Sequence, residues 1–186
     1  MTSSPTAATQ SPDTESAEQR HQRIREAFEQ NRSQMTVVLA RQLGVQEIEV
    51  IRALPPEMAM ELDATRWEQL IRSFEDLGNV HVIASNGSVT LECFGQFGKF
   101  STWGDYFNVQ TKSLDMHIRS KTLESIFAIE KPGHMDGVQT VSFQFFNKNG
   151  DAAFKVFLTF GGNAPSPEVQ SKFEAIREQF KLDAGH

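Results

Sequence analysis

The alternation of apolar and polar positions divides the chain into helices, then strands, then a last helix. Between residues 16 and 31, Ile24 and Phe28, with Ala27 between them, leave a narrow apolar stripe on an otherwise polar segment. Residues 35–54 carry two further stripes. Leu39, Ala40 and Leu43 face inward, Gly44 breaks the pattern, and Val45, Ile48, Ile51 and Leu54 resume it ahead of Pro55-Pro56. The spacing predicts another helix over 66–77. Thr65 would cap it, Glu68 would complete a capping box, and Gly78 would stop it, with Trp67, Leu70, Ile71, Phe74 and Leu77 on the buried face.

From residue 80 the apolar period shortens to that of strands. Segments 80–85 and 88–94 flank Asn86-Gly87, a strong hairpin signal. Residues 95–98 interrupt the run, and 104–119 reads as two short strands. A strand over 126–130 ends at Lys131-Pro132-Gly133. Segments 138–146 and 152–160 flank a second turn at 147–151. A final helix is predicted over 166–180, with Pro167 near its first position and Val169, Phe173, Ile176 and Phe180 on its apolar side. The expected class is α+β, with N-terminal helices, an antiparallel meandering β-sheet and a C-terminal helix. Residues 1–15, rich in Ser, Thr and Pro, are expected to form a disordered tail. Residues 16–183 are expected to form one domain with a helical part (35–78), a sheet part (80–160) and the last helix (166–180).

Composition narrows the function classes. A net charge of −6 and a pI near 5.4 disfavour nucleic acid and anionic membranes, which both attract positive fields. This bears on residues 35–54, whose layout is that of a helix-turn-helix. Its candidate recognition helix, 46–53, is expected to show Gln46, Glu47, Glu49 and Arg52 to solvent. Two Glu against one Arg match phosphate poorly, so a structural hairpin is favoured, and a DNA-binding regulator is the alternative. The one cysteine, Cys93, forms no intrachain disulfide and reads as a core thiol on an apolar face with Val89 and Leu91. No apolar run has the length of a membrane span, and the N-terminus lacks a signal-peptide layout, so the expected location is cytoplasmic. No Cys-x-x-Cys or His-x-x-x-His pair for zinc, glycine-rich phosphate loop or nucleophile elbow is present.

The candidate chemistry lies in 104–119. Leu114, Met116 and Ile118 alternate with Asp115, His117 and Arg119, while Phe107 and Val109 alternate with Tyr106 and Asn108. If the two polar faces coincide, Tyr106, His117 and Arg119 share one surface. Haem suits that set, because its iron takes His or Tyr and its propionates take Arg. A Tyr ligand needs a nearby cation or base to favour phenolate, and Arg119 or His117 would serve. The plain alternatives are a surface imidazole, a half-buried phenol and a solvated guanidinium. Lys99 reads as surface charge, His81 as structural, and His134 as a loop residue.

Four motifs, in order, carry a resemblance: Gly78-Asn-Val80 before a hairpin, Tyr106-Phe-Asn108, His117-Ile-Arg119, and Phe145-Phe-Asn-Lys-Asn-Gly-Asp-Ala-Ala-Phe-Lys-Val-Phe-Leu158. Over about residues 35–180 the chain resembles the cytosolic haem carriers of the ChuX/HutX type and one half of the larger HemS/ChuS proteins. The resemblance implies a split antiparallel-sheet fold and haem bound as cargo on a sheet surface. It also implies a homodimer that mimics the two-half proteins and a role in haem trafficking, storage or iron utilisation. The protein that delivers or accepts the haem is not implied. Haem degradation, reported for some two-half relatives, is an alternative activity. Carrier relatives often have a His where Ser85 and Gly104 stand here, so the resemblance implies either Tyr106 or His117 as the iron ligand or a relative that has kept the fold and lost the haem.

Overall fold

The computed structural model describes residues 15–159 and 161–182. Of the expected tail only Glu15 lies within them, and its carboxylate accepts from Arg23 Nε at 2.7 Å. Helix α1 (Ala17–Gln30) is capped by Ser16, which exchanges side-chain and backbone hydrogen bonds with Gln19. Helix α2 (Thr36–Leu43) ends at Gly44, whose φ of +66° is left-handed, and α3 (Glu47–Ala53) begins three residues later. The stripes Ile24/Phe28, Leu39/Ala40 and Ile48/Ile51 converge on one cluster, as their spacing predicts.

The next segment departs from expectation. Ala59–Leu62 forms a strand, β1, too short and mixed in its polarity to stand out in the sequence. Asp63, not Thr65, provides the N-cap of the adjoining turn, because its carboxylate accepts from both the backbone N–H and the hydroxyl of Thr65. The expected single helix is a 3₁₀ turn (Ala64–Arg66), a short α4 (Trp67–Arg72) and a second 3₁₀ stretch (Ser73–Leu77). The buried face of Leu70, Ile71, Phe74 and Leu77 is as predicted.

Eight more strands complete the sheets: β2 (Asn79–Ser85), β3 (Thr90–Gln96), β4 (Phe100–Trp103), β5 (Tyr106–Gln110), β6 (Asp115–Ile118), β7 (Leu123–Pro132), β8 (Gln139–Asn147) and β9 (Ala152–Phe157). They form two antiparallel sheets. The larger has the order β1-β7-β8-β9-β2-β3, so the first hairpin lies outside the later meander, and the smaller is β4-β5-β6. Strand β4 is the second element that periodicity missed. The last helix, α5 (Pro167–Gln179), has Pro167 at its first position, as predicted, and Ser166 is its N-cap. Among the described residues no helix is long and apolar enough to cross a membrane.

Both faces of the large sheet are used. On one, Ile126, Ala128, Val141, Phe143, Phe145, Phe154 and Val156 meet α4, α5 and the inner face of the small sheet. Phenylalanines dominate: Phe145 stacks on Phe154 at 4.2 Å, and Phe74 lies 4.9 Å from Phe143. On the other face, Phe127, Ile129 and Phe146 receive α1–α3. That docking corrects the expectation for α3. Glu47 is buried and ion-paired with Lys155, the Gln46 side chain donates to Asn149 O, and Arg52 reaches Ser125 and Glu61. Of the four side chains expected in solvent, Gln46 and Arg52 are exposed as predicted, Glu49 is half-buried beside Arg20, and Glu47 alone is buried, against β9.

Strand β3 also corrects its reading. Cys93 is half-buried, but Val89 and Leu91 are 66% and 62% exposed. Alternation places them on the core side of the sheet, with Leu91 opposite Ala84 and Cys93 opposite Val82 in register, yet β3 extends past the core and nothing described covers it.

Candidate functional site

The small sheet is a platform with a dry side and a polar side. Phe107, Val109, Leu114 and Ile118 are buried on the dry side, where Trp67 meets Phe107 edge-on at 5.3 Å. Gly95 fixes how near the platform sits to β3, because a Cβ there would lie 1.9 Å from Ser113 Oγ.

The polar side is ordered by register. Trp103 pairs with Tyr106, Ser101 with Asn108, and Asn108 in turn with His117. One row therefore carries Ser101, Asn108 and His117, and the next carries Trp103 and Tyr106, with Arg119 just beyond the end of β6. The Tyr106 and His117 rings stand nearly perpendicular with centroids 6.3 Å apart, and Arg119 Cζ lies 6.0 Å from the Tyr106 centroid. The sequence-predicted trio is thus brought together on one surface. Trp103, Tyr106, Asn108 and His117 line an open depression of about 410 Å³.

Sequence reasoning missed Trp103 and underrated Asn108. Trp103 is 79% exposed beside Tyr106, an aromatic wall standing in water. Its signal was present, since a Trp three residues before a candidate ligand, flanked by polar residues, has no apolar stripe to join. Asn108 is only 5% exposed although it belongs to the polar face. Its Oδ1 lies 2.7 Å from His117 Nδ1, and its Nδ2 donates to Ser101 Oγ at 3.1 Å. An amide oxygen only accepts, so this contact is a hydrogen bond when His117 Nδ1 carries a proton. Asp105, in the turn between β4 and β5, pairs with Lys121 at 2.6 Å. That ammonium, with a smaller contribution from Arg119, holds the Asp105 carboxyl below its usual range. Arg119 therefore keeps its guanidinium near an aromatic ring and a carboxylate that is already paired.

A second and larger concavity, of about 1250 Å³, lies between the α2–α3 hairpin and the large sheet. Its floor is the face of Lys131, Thr140, Ser142, Gln144, Lys155 and Phe157. Ser85 lies at its β2 side, and Arg41 and Met135 lie among the residues around it. Lys131 is buried, donates to Gln34 O at 3.2 Å and to Pro132 O, and has its pKa lowered to about 8, first by burial and then by the Lys155 charge. Gln144 Oε1 and Thr159 Oγ1 are buried there without a hydrogen-bond partner. Of the other candidates, His81 pairs with Glu92 across the first hairpin at 2.9 Å, as a structural residue would, while Lys99 and His134 are exposed. Gly104 occupies the β4–β5 turn with φ +57°. Among the described residues no cluster of three His, Cys, Asp or Glu could hold a metal ion.

Comparison with known proteins agrees with this architecture. The chain is 25% identical over 163 residues to the intracellular heme transport protein HutX of Vibrio cholerae, covering 86% of this chain and 83% of HutX. The structure of the heme binding protein ChuX superposes with a TM-score of 0.73 at 25% identity, over 84% of this chain and 97% of ChuX. The Escherichia coli O157:H7 heme-degrading enzyme ChuS shares the fold, with a TM-score of 0.74 at 20% identity. The match covers 92% of this chain and 49% of ChuS, so the chain corresponds in length to one half of it. The model of the haem utilisation ChuX/HutX family matches residues 60–176, a span that runs from β1 through the small sheet into α5. The chain belongs to the haem utilisation ChuX/HutX family.

Proposed function

We propose that the protein binds haem reversibly as cargo and passes it on within the cell. The observation that carries this reading to particular residues is the hydrogen bond between Asn108 Oδ1 and His117 Nδ1, which leaves Nε2 as a ready donor at a depression walled by Trp103 and Tyr106. In this reading His117 meets the iron, Tyr106 and Trp103 flank the macrocycle, and Arg119 faces a propionate. Tyr106 is the alternative iron ligand, with the Arg119 guanidinium beside its ring. The openness of the depression suits a carrier, because cargo held on a surface leaves without an opening step. We also assign the protein to a homodimer joined through β3, which among the described residues pairs only with β2 and, with the turn before it, exposes Val89, Leu91 and Phe94.

A second seating is favoured by one observation. The groove beneath the hairpin is large enough for a whole macrocycle and offers Lys131 and Arg41 to carboxylates, with unpartnered polar atoms in its floor. Optical titration with hemin distinguishes the two. The expected result is saturation near one haem per chain, with the Soret band lost or moved in His117→Ala or in Tyr106→Phe. A Soret band unchanged in both variants but lost in Lys131→Glu would move the cargo to the groove. A featureless titration of the unmodified protein would overturn the haem reading. Loss of the Soret band of the loaded protein on adding a reductant and oxygen would favour degradation over carriage.

A further inference from the structure

The polar face of the small sheet contains a closed run of hydrogen bonds whose direction is set at one end. Asp115 is a carboxylate and only accepts, so Gln110 must present Nε2 to it, at 3.3 Å from Oδ1. That turns Gln110 Oε1 toward Ser101, whose hydroxyl donates to it at 3.3 Å. The Ser101 oxygen then accepts from Asn108 Nδ2 at 3.1 Å, which turns Asn108 Oδ1 toward His117 Nδ1 at 2.7 Å. Each amide is held in one orientation by the partner before it.

We propose that Asp115, acting through Gln110, Ser101 and Asn108, holds His117 in the tautomer that bears its proton on Nδ1 and presents the Nε2 lone pair to the depression. In water the neutral imidazole of histidine favours the other tautomer, so the sheet must impose this one. A competing contact is present, because Asp115 Oδ1 also lies 3.6 Å from His117 Nε2 and would favour a proton there. That distance is beyond hydrogen-bond range, whereas the Asn108 contact is short, and the same Asp115 oxygen is already taken by Gln110. The Asn108 contact therefore decides. Asn108 is also buried, which makes its bonds costlier to leave unmade than those of an exposed amide. These four are positioning residues. That Nε2 is the atom meeting haem iron rests on the function proposed above, whereas the tautomer itself does not.

The test is long-range ¹H–¹⁵N NMR of the imidazole rings in the ¹⁵N-histidine-labelled protein without haem, at a pH where His117 is neutral, with His117→Gln used for assignment. The expected His117 pattern is a protonated Nδ1 and an unprotonated Nε2. Asn108→Ala should convert it to the Nε2–H form, and Asn108→Asp, which still accepts at Nδ1, should retain it. Ser101→Ala changes an exposed residue that touches neither the imidazole nor the core, so it carries the test if Asn108→Ala fails to fold. It should shift the population toward Nε2–H. An Nε2–H form in the unmodified protein, or an unchanged population in Asn108→Ala, would overturn the lock, and an unchanged population in Ser101→Ala would overturn the relay from Asp115. A hemin titration runs in parallel. Asn108→Ala should weaken binding by roughly 10- to 100-fold, the usual effect of removing a partner behind a metal-bound imidazole. If hemin fails to bind the unmodified protein, the haem reading falls and the NMR result still judges the tautomer.

Discussion

At the scale of single residues, the sequence identified which side chains carry chemistry better than it identified their surroundings. His117, Tyr106 and Arg119 were legible because strict alternation in a short strand places them opposite an apolar set. Asn108 was legible only as a polar-face residue, because nothing local says that such an amide will be buried between two neighbours. Lys131 shows the same limit. Beside Pro132-Gly133 it reads as a strand end, yet it is buried with its pKa lowered to about 8. Its native value lies below the ordinary 10.5 of an unfolded lysine, so between these values the unfolded chain holds more protons. Stability contributed through Lys131 should therefore rise with pH across that window and stay at its low level below it. Relative to Lys131→Met, which lacks the group, the native protein should gain up to about 3 kcal/mol across it. Urea unfolding of both proteins at the two ends of the window measures this.

At the scale of elements, the helices were legible where a stripe, a cap and a stop coincide. Ser16, Gly44 and Ser166 with Pro167 each sit where their chemistry requires. The segment 66–77 was read as one helix because its buried face repeats with helical spacing, and 3₁₀ turns preserve enough of that spacing to mislead. Strand β1 was missed because its pairing with β7 comes from partners more than sixty residues away. Helix α3 was given a solvated face because Glu47 is charged, but its partner Lys155 lies on β9 and cannot be seen locally. This buried pair ties the hairpin to the sheet. Glu47→Ala should destabilise the protein by about 3–5 kcal/mol by stranding the lysine, and Glu47→Ala with Lys155→Met should recover most of the loss. Chemical denaturation of the two variants checks both values. A penalty for the single variant below about 1 kcal/mol would place the pair in solvent instead.

At the scale of the whole molecule, a carrier should be more stable loaded than empty. Hemin at roughly 100 times its dissociation constant should stabilise the fold by about 2.7 kcal/mol, seen as a rise in thermal midpoint that grows with hemin concentration. His117→Ala should show a smaller rise at the same concentration if the cargo sits on the small sheet. The net charge of −6 and the buried contacts of α3 both weigh against the DNA reading, and no mobility shift with duplex DNA is expected at low salt.

The sequence by itself determined the local periods, the turn at Gly44, the division into a helical and a strand-rich part, and three residues on the polar face of the small sheet, Tyr106, His117 and Arg119. These depend on interactions within a few residues, which a single segment contains. Only the tertiary structure decided the order of strands in the large sheet, the burial of Asn108, Lys131 and Glu47, the exposure of Val89 and Leu91, and the groove under the hairpin. Each of these depends on which distant element happens to lie above a given face. An apolar residue is buried only where something covers it, and a polar one is oriented only where a partner from elsewhere in the chain meets it.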